Sequence, residues 1–164
     1  PARSNRERLL TVELSSGIRF RGVIDRIDVA PSGDLRVVDY KTGNMPNPNY
    51  QSEARFQGRA YGLLLKEADG KEPLQSQIIY LGSDSTLTYW ADDKDNALVE
   101  DTIVSVWNQI LDCLDTGVFP PRKSKLCNWC SFQSICPEFG GEVLPINEAG
   151  VEKLRKVQVE EPGP

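Results

Sequence analysis

The hydrophobic and polar positions give a short strand pattern from Thr11 and β-rich runs over 18–28 and 35–41, so the chain opens with three strand segments. The cluster from Ala30 to Asp34, rich in Pro, Ser, Gly and Asp, separates the second run from the third and predicts a hairpin. Past a turn-rich stretch with Gly43, Pro46 and Pro48 the period lengthens. Phe56, Ala60, Leu63 and Leu64 recur at helical spacing and predict a helix over 50–68. The runs 76–81 and 87–90 are β-rich again and are joined through Gly82, Ser83, Asp84 and Ser85 as a second hairpin. Val99, Ile103, Val106, Trp107, Ile110 and Leu114 then form the apolar stripe of a second long helix, closed by Gly117, Pro120 and Pro121. A short helix is expected over 148–157, before a loose end at EEPGP.

Three strands, a helix, two strands, a helix and a cysteine-containing appendage give an α/β (α+β sandwich) class with a mixed sheet flanked by helices. With 164 residues, 39% apolar and 26% charged, the chain is long enough for one domain with a real core. No apolar run approaches the ~20 residues of a membrane span. The start, PARSNRERLL, has neither an apolar h-region nor a cleavage site, and no initiator Met. It reads as the inside of a longer chain, with a cytoplasmic setting expected.

Charge matters mainly through its distribution, because 24 acids against 19 bases give a net charge of −5. Arg3, Arg6, Arg8, Arg19, Arg21 and Arg26 gather near the N-terminus, and Arg122, Lys123 and Lys125 stand beside the cysteines. Either group could hold phosphates or be a solvated cationic face. The absence of His excludes His-based triads and His-ligated zinc.

The chemistry concentrates in Gly22-Val23-Ile24-Asp25-Arg26-Ile27-Asp28 and in Asp39-Tyr40-Lys41-Thr42-Gly43. If the two runs are adjacent strands, Asp25 and Asp39 meet at neighbouring strand ends. Alternation places Asp39, Lys41 and Val37 on one face and Val38 and Tyr40 on the other. Clustered carboxylates need a neutralising cation, and oxygen-only ligands suit Mg²⁺ or Mn²⁺. The bland alternative for D-x-K alone is a solvated ion pair on strand-end acids.

GVIDRID, LRVVDYKTG and a following helix with Gln57 and Tyr61 together resemble the RecB-like branch of the PD-(D/E)XK nuclease superfamily. The resemblance implies a restriction-endonuclease-like fold, with lead-in 1–10, nuclease core 11–117, cysteine segment 118–140 and tail 141–164. It implies a metal held by Asp25, Asp39 and the Tyr40 carbonyl, with Lys41 as the catalytic lysine. It also implies a Q-x3-Y motif at Gln57 and Tyr61, which share a helical stripe with Glu53. The family's early helical region, with its Cys and metal-binding His, has no counterpart here.

Cys127, Cys130 and Cys136 stand close in sequence, where a C-x2-C pair can chelate one metal. Cys113, beside the apolar stripe, suits a buried small hydrophobe. RecB-like nucleases of the AddB and CRISPR-associated kinds resemble this pattern, which implies a [4Fe–4S] cluster whose fourth Cys lies upstream of Pro1. A Cys₄ zinc site using Cys113 is the competing explanation.

Two functions are expected from these readings. The first is a metal-dependent DNA exonuclease of recombination or repair, with a helicase partner or fused helicase domain and no membrane role. The second is a non-catalytic nucleic-acid-binding or interaction module that keeps the acids for folding.

Overall fold

The computed structural model describes residues 5–90, 93–142 and 145–156, so Arg3, the last residue of the expected third helix (Val157) and the EEPGP end lie outside the described residues. Two compact units divide the chain, Pro1–Val104 and Ser105–Pro164. The elements are β1 (Arg6–Glu13), β2 (Arg19–Val29), β3 (Leu35–Lys41), α1 (Ser52–Asp69), β4 (Gln75–Tyr80), β5 (Ser85–Trp90), α2 (Asp93–Thr116) and α3 (Glu148–Lys156).

The five strands form one sheet in the order β1-β2-β3-β4-β5. β3 and β4 are parallel, joined through α1, and the other neighbours are antiparallel, so the sheet is mixed. β1 starts at Arg6 rather than near Thr11. It is an edge strand, where charged outward residues are tolerated and mask the alternation. Leu10 and Val12 are buried and continue the pattern toward Leu14.

Alternation is regular in β4 and β5, where Ser76, Ile78 and Tyr80, then Leu87 and Tyr89, face inward. In β2 it breaks. Ile24 and Ile27 are both buried although three positions apart, so the strand changes its inward set at Asp25 and Arg26. Opposite this break, Glu7 adopts φ +47, a left-handed conformation unusual for a residue with a Cβ.

α1 covers one face of the sheet with Ala60, Leu63, Leu64 and Leu65. Phe56, counted in the expected stripe, is 38% exposed. Gly58 and Gly62 occupy the buried side instead. A Cβ at Gly58 would lie 1.1 Å from the Tyr89 hydroxyl, and one at Gly22 would lie 2.6 Å from Leu64 Cδ1. These two glycines let the helix approach β5 and β2 closely enough for its polar edge to reach β3. Gly70, at φ +65, ends α1 with its N–H on the Lys66 carbonyl.

Along α2, Val99 and Leu114 are buried while Val106 of the expected stripe is exposed. Residues 118–140 carry short 3₁₀ turns at Lys125–Trp129, Gln133–Ile135 and Pro137–Phe139. Among the described residues of 105–156, Leu114 is the one buried side chain.

Candidate active site

The β2–β3 ladder runs from Val29–Leu35 to Arg26–Val38, and one step further stand Asp25 and Asp39. Both lie inside their strands rather than at the strand ends expected from the sequence. The Tyr40 N–H donates to Asp25 Oδ2 at 3.0 Å, so the first acid is fixed by the backbone beside the second.

Asp39 is the centre of the cluster and is only 4% exposed. Its Oδ1 accepts hydrogen bonds from Gln57 Nε2 (3.1 Å) and from the Tyr61 hydroxyl (3.4 Å). Gln57 Nε2 also donates to the Tyr61 hydroxyl at 2.7 Å, one helical turn along α1. Asp39 Oδ2 lies 2.8 Å from Lys41 Nζ. That approach is an ion pair without hydrogen-bond alignment, leaving Oδ2 a buried acceptor with no hydrogen bond. The expected sharing of a strand face by Asp39 and Lys41 is thus observed. Glu53, expected on the same helical stripe, is exposed to solvent.

These surroundings set protonation. Burial pulls the Lys41 ammonium down, but the bond to Asp39 and the fields of Asp39, Tyr61 and Asp25 outweigh it, so Lys41 titrates above its ordinary value. Burial lifts the Tyr61 hydroxyl above the usual phenol range, against the opposing Gln57 hydrogen bond. Tyr61 therefore stays a donor at neutral pH. Tyr89, seated over Gly58, is pushed by burial up to about 12.

A second network occupies the alternate positions of the same strands. Arg26 Nε and Nη2 donate to Asp28 Oδ1 and Oδ2 at 2.7 and 3.0 Å, and Nη1 donates to the Tyr40 hydroxyl at 2.9 Å. Arg36 Nη2 adds a 2.7 Å bond to Asp28 Oδ2. Desolvation would raise the Asp28 carboxyl, but its two guanidinium partners hold it below the ordinary carboxylate range. The sequence reading passed over this network. The parity of positions 26, 28, 36 and 40 on two paired strands was the available signal.

The cysteines are arranged otherwise. Cys127 Sγ accepts the Ser124 N–H at 3.3 Å and closes a capping box on its own turn. Cys130 and Cys136 follow at the ends of separate 3₁₀ turns. Among the described residues no group of three or more His, Cys, Asp or Glu side chains is placed to hold a metal ion. The convergent three-thiolate centre expected from the spacing is not formed among the described residues. Cys113 is half-buried rather than a core residue. No described helix is long and apolar enough to cross a membrane.

A family model described as the PD-(D/E)XK nuclease superfamily matches residues 1–137. No curated protein matches the chain. Among solved structures, a proposed exonuclease from Eubacterium rectale is similar with a TM-score of 0.53 at 16% identity, over 89% of this chain and 56% of its own. The structure of SSO0001 is similar with a TM-score of 0.46 at 18% identity, over 82% of this chain and 59% of its own. The chain thus spans under three fifths of either one's length.

Proposed function

The chain belongs to the PD-(D/E)XK nuclease superfamily, whose restriction-endonuclease-like mixed sheet with flanking helices it has, and from that membership we propose that it is a divalent-metal-dependent DNA exonuclease of the RecB-like kind, acting in recombination or repair. This reading entails DNA as substrate, a cytoplasmic setting and a helicase partner or fused helicase domain.

The observation that carries the proposal is the pairing of two carboxylates, Asp39 at 4% exposure and Asp25 held beside it by the Tyr40 N–H, against a single ammonium, Lys41 on Asp39 Oδ2. One ammonium leaves the pair with a net negative charge, and clustered carboxylates are costly unless a further cation neutralises them. The donor set of Asp25, Asp39 and the Tyr40 carbonyl is all oxygen, which fits Mg²⁺ or Mn²⁺. Bound there, the ion would supply Lewis-acid polarisation of a phosphoryl oxygen.

The protein's own groups would do the rest. Gln57 and Tyr61 hold Asp39 Oδ1, so the carboxylate keeps one orientation and turns Oδ2 toward the reaction. Lys41 remains an ammonium at neutral pH and is aimed by its ion pair with Asp39. A fixed positive charge at that position stabilises negative charge that develops on the phosphorane more than it stabilises the ground state.

Single-turnover digestion of linear DNA with Mg²⁺, alongside binding measured in Ca²⁺, tests the proposal. Lys41→Ala should lower the cleavage rate on the order of 10²-fold while DNA binding holds. Equal rates for variant and parent would overturn the mechanism. A parent that binds DNA and never cuts it would be a nucleic-acid-binding module.

A further inference from the structure

The two acids of the site are each followed by a residue whose side chain points to the opposite side of the strand pair, Arg26 after Asp25 and Tyr40 after Asp39. Those two side chains meet, Arg26 Nη1 donating to the Tyr40 hydroxyl at 2.9 Å. The remaining prongs of the Arg26 fork are spent on Asp28, which Arg36 of β3 holds as well. Arg26 thus has three separate donors engaged and is not a free phosphate-binding cation.

We propose that Arg26 and Tyr40 are positioning residues that tie β2 to β3 behind the carboxylate pair and so set the spacing of Asp25 and Asp39 on which cation binding depends. The inference rests on the nuclease reading above for its consequence, but its geometry stands apart from it. The need for such a tie follows from the local backbone. β2 loses its alternation at Asp25 and Arg26, and the β2–β3 ladder runs only as far as Arg26–Val38. Beyond that step, the Tyr40 N–H is held by the Asp25 carboxylate. The Tyr40 residue is therefore gripped twice, by its amide on the side of the acids and by its hydroxyl on the other. The other edge of this stretch is paired with Ile78 and Ile79 of β4, so releasing the hydroxyl loosens the β2 side of the peptide that carries both the amide and the neighbouring Asp39. Lysine cannot replace Arg26, because one ammonium does not reproduce a planar fork that serves Asp28 and Tyr40 in different directions.

The test uses the full chain with Tyr40→Phe, which keeps the ring, and Arg26→Lys, which keeps the charge. Arg8→Met serves as a control, since it breaks the bidentate Arg8–Asp69 pair (2.6 and 2.8 Å) elsewhere in the same unit. Amide hydrogen exchange at residue 40 should quicken several-fold in both variants and stay unchanged in the control. Calorimetric titration with Mn²⁺ should show affinity reduced roughly tenfold by Arg26→Lys and less by Tyr40→Phe, as expected for groups that orient a ligand. The Mg²⁺ concentration for half-maximal cleavage should rise in parallel, with the rate at saturating Mg²⁺ falling less. Unchanged exchange at residue 40 would overturn the tie itself. Faster exchange with an unchanged Mn²⁺ affinity would overturn its positioning role. A parent that neither binds Mn²⁺ nor cuts DNA would overturn the nuclease reading and the role together, while the exchange result would still report on the tie.

Discussion

The β2–β3–α1 site and the cysteine segment carry sequence signals of comparable sharpness, yet the structure treats them differently. In the first, residues up to 36 positions apart, from Asp25 to Tyr61, converge on one buried carboxylate. In the second, three cysteines within ten positions, Cys127 to Cys136, lie along successive 3₁₀ turns, each bonded to its own near neighbours. Sheet register accounts for the contrast. A ladder converts sequence separation into a fixed spatial partner, and a packed helix adds a second set of side chains at fixed spacing. A series of 3₁₀ turns fixes each residue against its own neighbours only. Burial follows the same division. Asp39 sits among buried residues, whereas Trp129 is 87% exposed and Leu126 77%.

The largest effect that would sharpen this contrast is expected at Asp39. Asp39→Asn keeps the size and the Gln57 and Tyr61 contacts within reach but removes the charge that holds Lys41 and the proposed cation. Cleavage should fall on the order of 10³-fold or more. Mn²⁺ binding measured by calorimetry should weaken with it. An active variant with the parent's metal affinity would make the converged cluster no more functional than the scattered cysteines.

Packing provides the next test, because the site depends on how closely α1 lies on the sheet. At Gly58 an added methyl meets Tyr89 at 1.1 Å from the hydroxyl and 2.3 Å from Cζ. Gly58→Ala should therefore lower stability by about 1–3 kcal/mol in denaturant unfolding, overpacking outweighing the gain in helix propensity. Gly150→Ala in α3 meets nothing closer than Asn147 Cβ at 3.8 Å. It should be neutral or stabilise by up to ~1 kcal/mol. The same substitution thus has opposite signs in the two units.

Much of this division was legible in the sequence, and what was missed has identifiable causes. Periodicity and the bounding turn residues placed β2 to β5, α1 and α2 within a few residues, most sharply in β4 and β5, where burial alternates strictly. Asp39 with Lys41, and Gln57 with Tyr61, followed from parity and from helical spacing. The early start of β1 was hidden by the charges at Arg6, Glu7 and Arg8 on an edge strand. Phe56 carries the apolar signal of a core residue, yet the small residues Gly58 and Gly62 are the ones that face the sheet. The shift of alternation inside β2 is written as the apolar pair Val23-Ile24 followed by the charged pair Asp25-Arg26, opposite the left-handed Glu7. For the cysteines, spacing specifies chain proximity and nothing about where thiols point.

A smaller effect separates electrostatics from packing within the strand pair. The Asp28 carboxyl is held below its ordinary range by Arg26 and Arg36. A depressed carboxyl contributes stability that is present above its unfolded value and lost as pH falls through the lower folded value. Asp28→Asn should therefore destabilise the chain at pH 7, by about 1 kcal/mol for a partly exposed pair network. The penalty should vanish as pH falls through the lowered folded value, where the parent's carboxylate is itself being protonated. Chemical denaturation at a series of pH values would show this as converging curves, and parallel curves would mean that shape rather than charge is at work.

The smallest effect is expected at Cys127, and it bears most directly on the contrast between the two regions. The Cys127 sulfur accepts the Ser124 N–H at 3.3 Å, and Ser124 Oγ accepts the Leu126 N–H at 3.2 Å, so the thiol has a local capping task. A serine hydroxyl at 127 can accept the same bond, being itself a good capping acceptor. Cys127→Ser should then leave stability unchanged to within ~0.5 kcal/mol, whereas Cys127→Ala, which offers no acceptor, should cost somewhat more. Thermal unfolding of the full chain under reducing conditions, with and without added zinc or iron and sulfide, decides the point. If the thiols act singly, neither addition raises the transition and the serine variant matches the parent. A metal-dependent rise in the parent that Cys127→Ser, Cys130→Ser and Cys136→Ser each abolish would mean that the three thiolates do gather on one centre. The two regions would then differ in when their residues converge, before the metal on the sheet and with it in the turns.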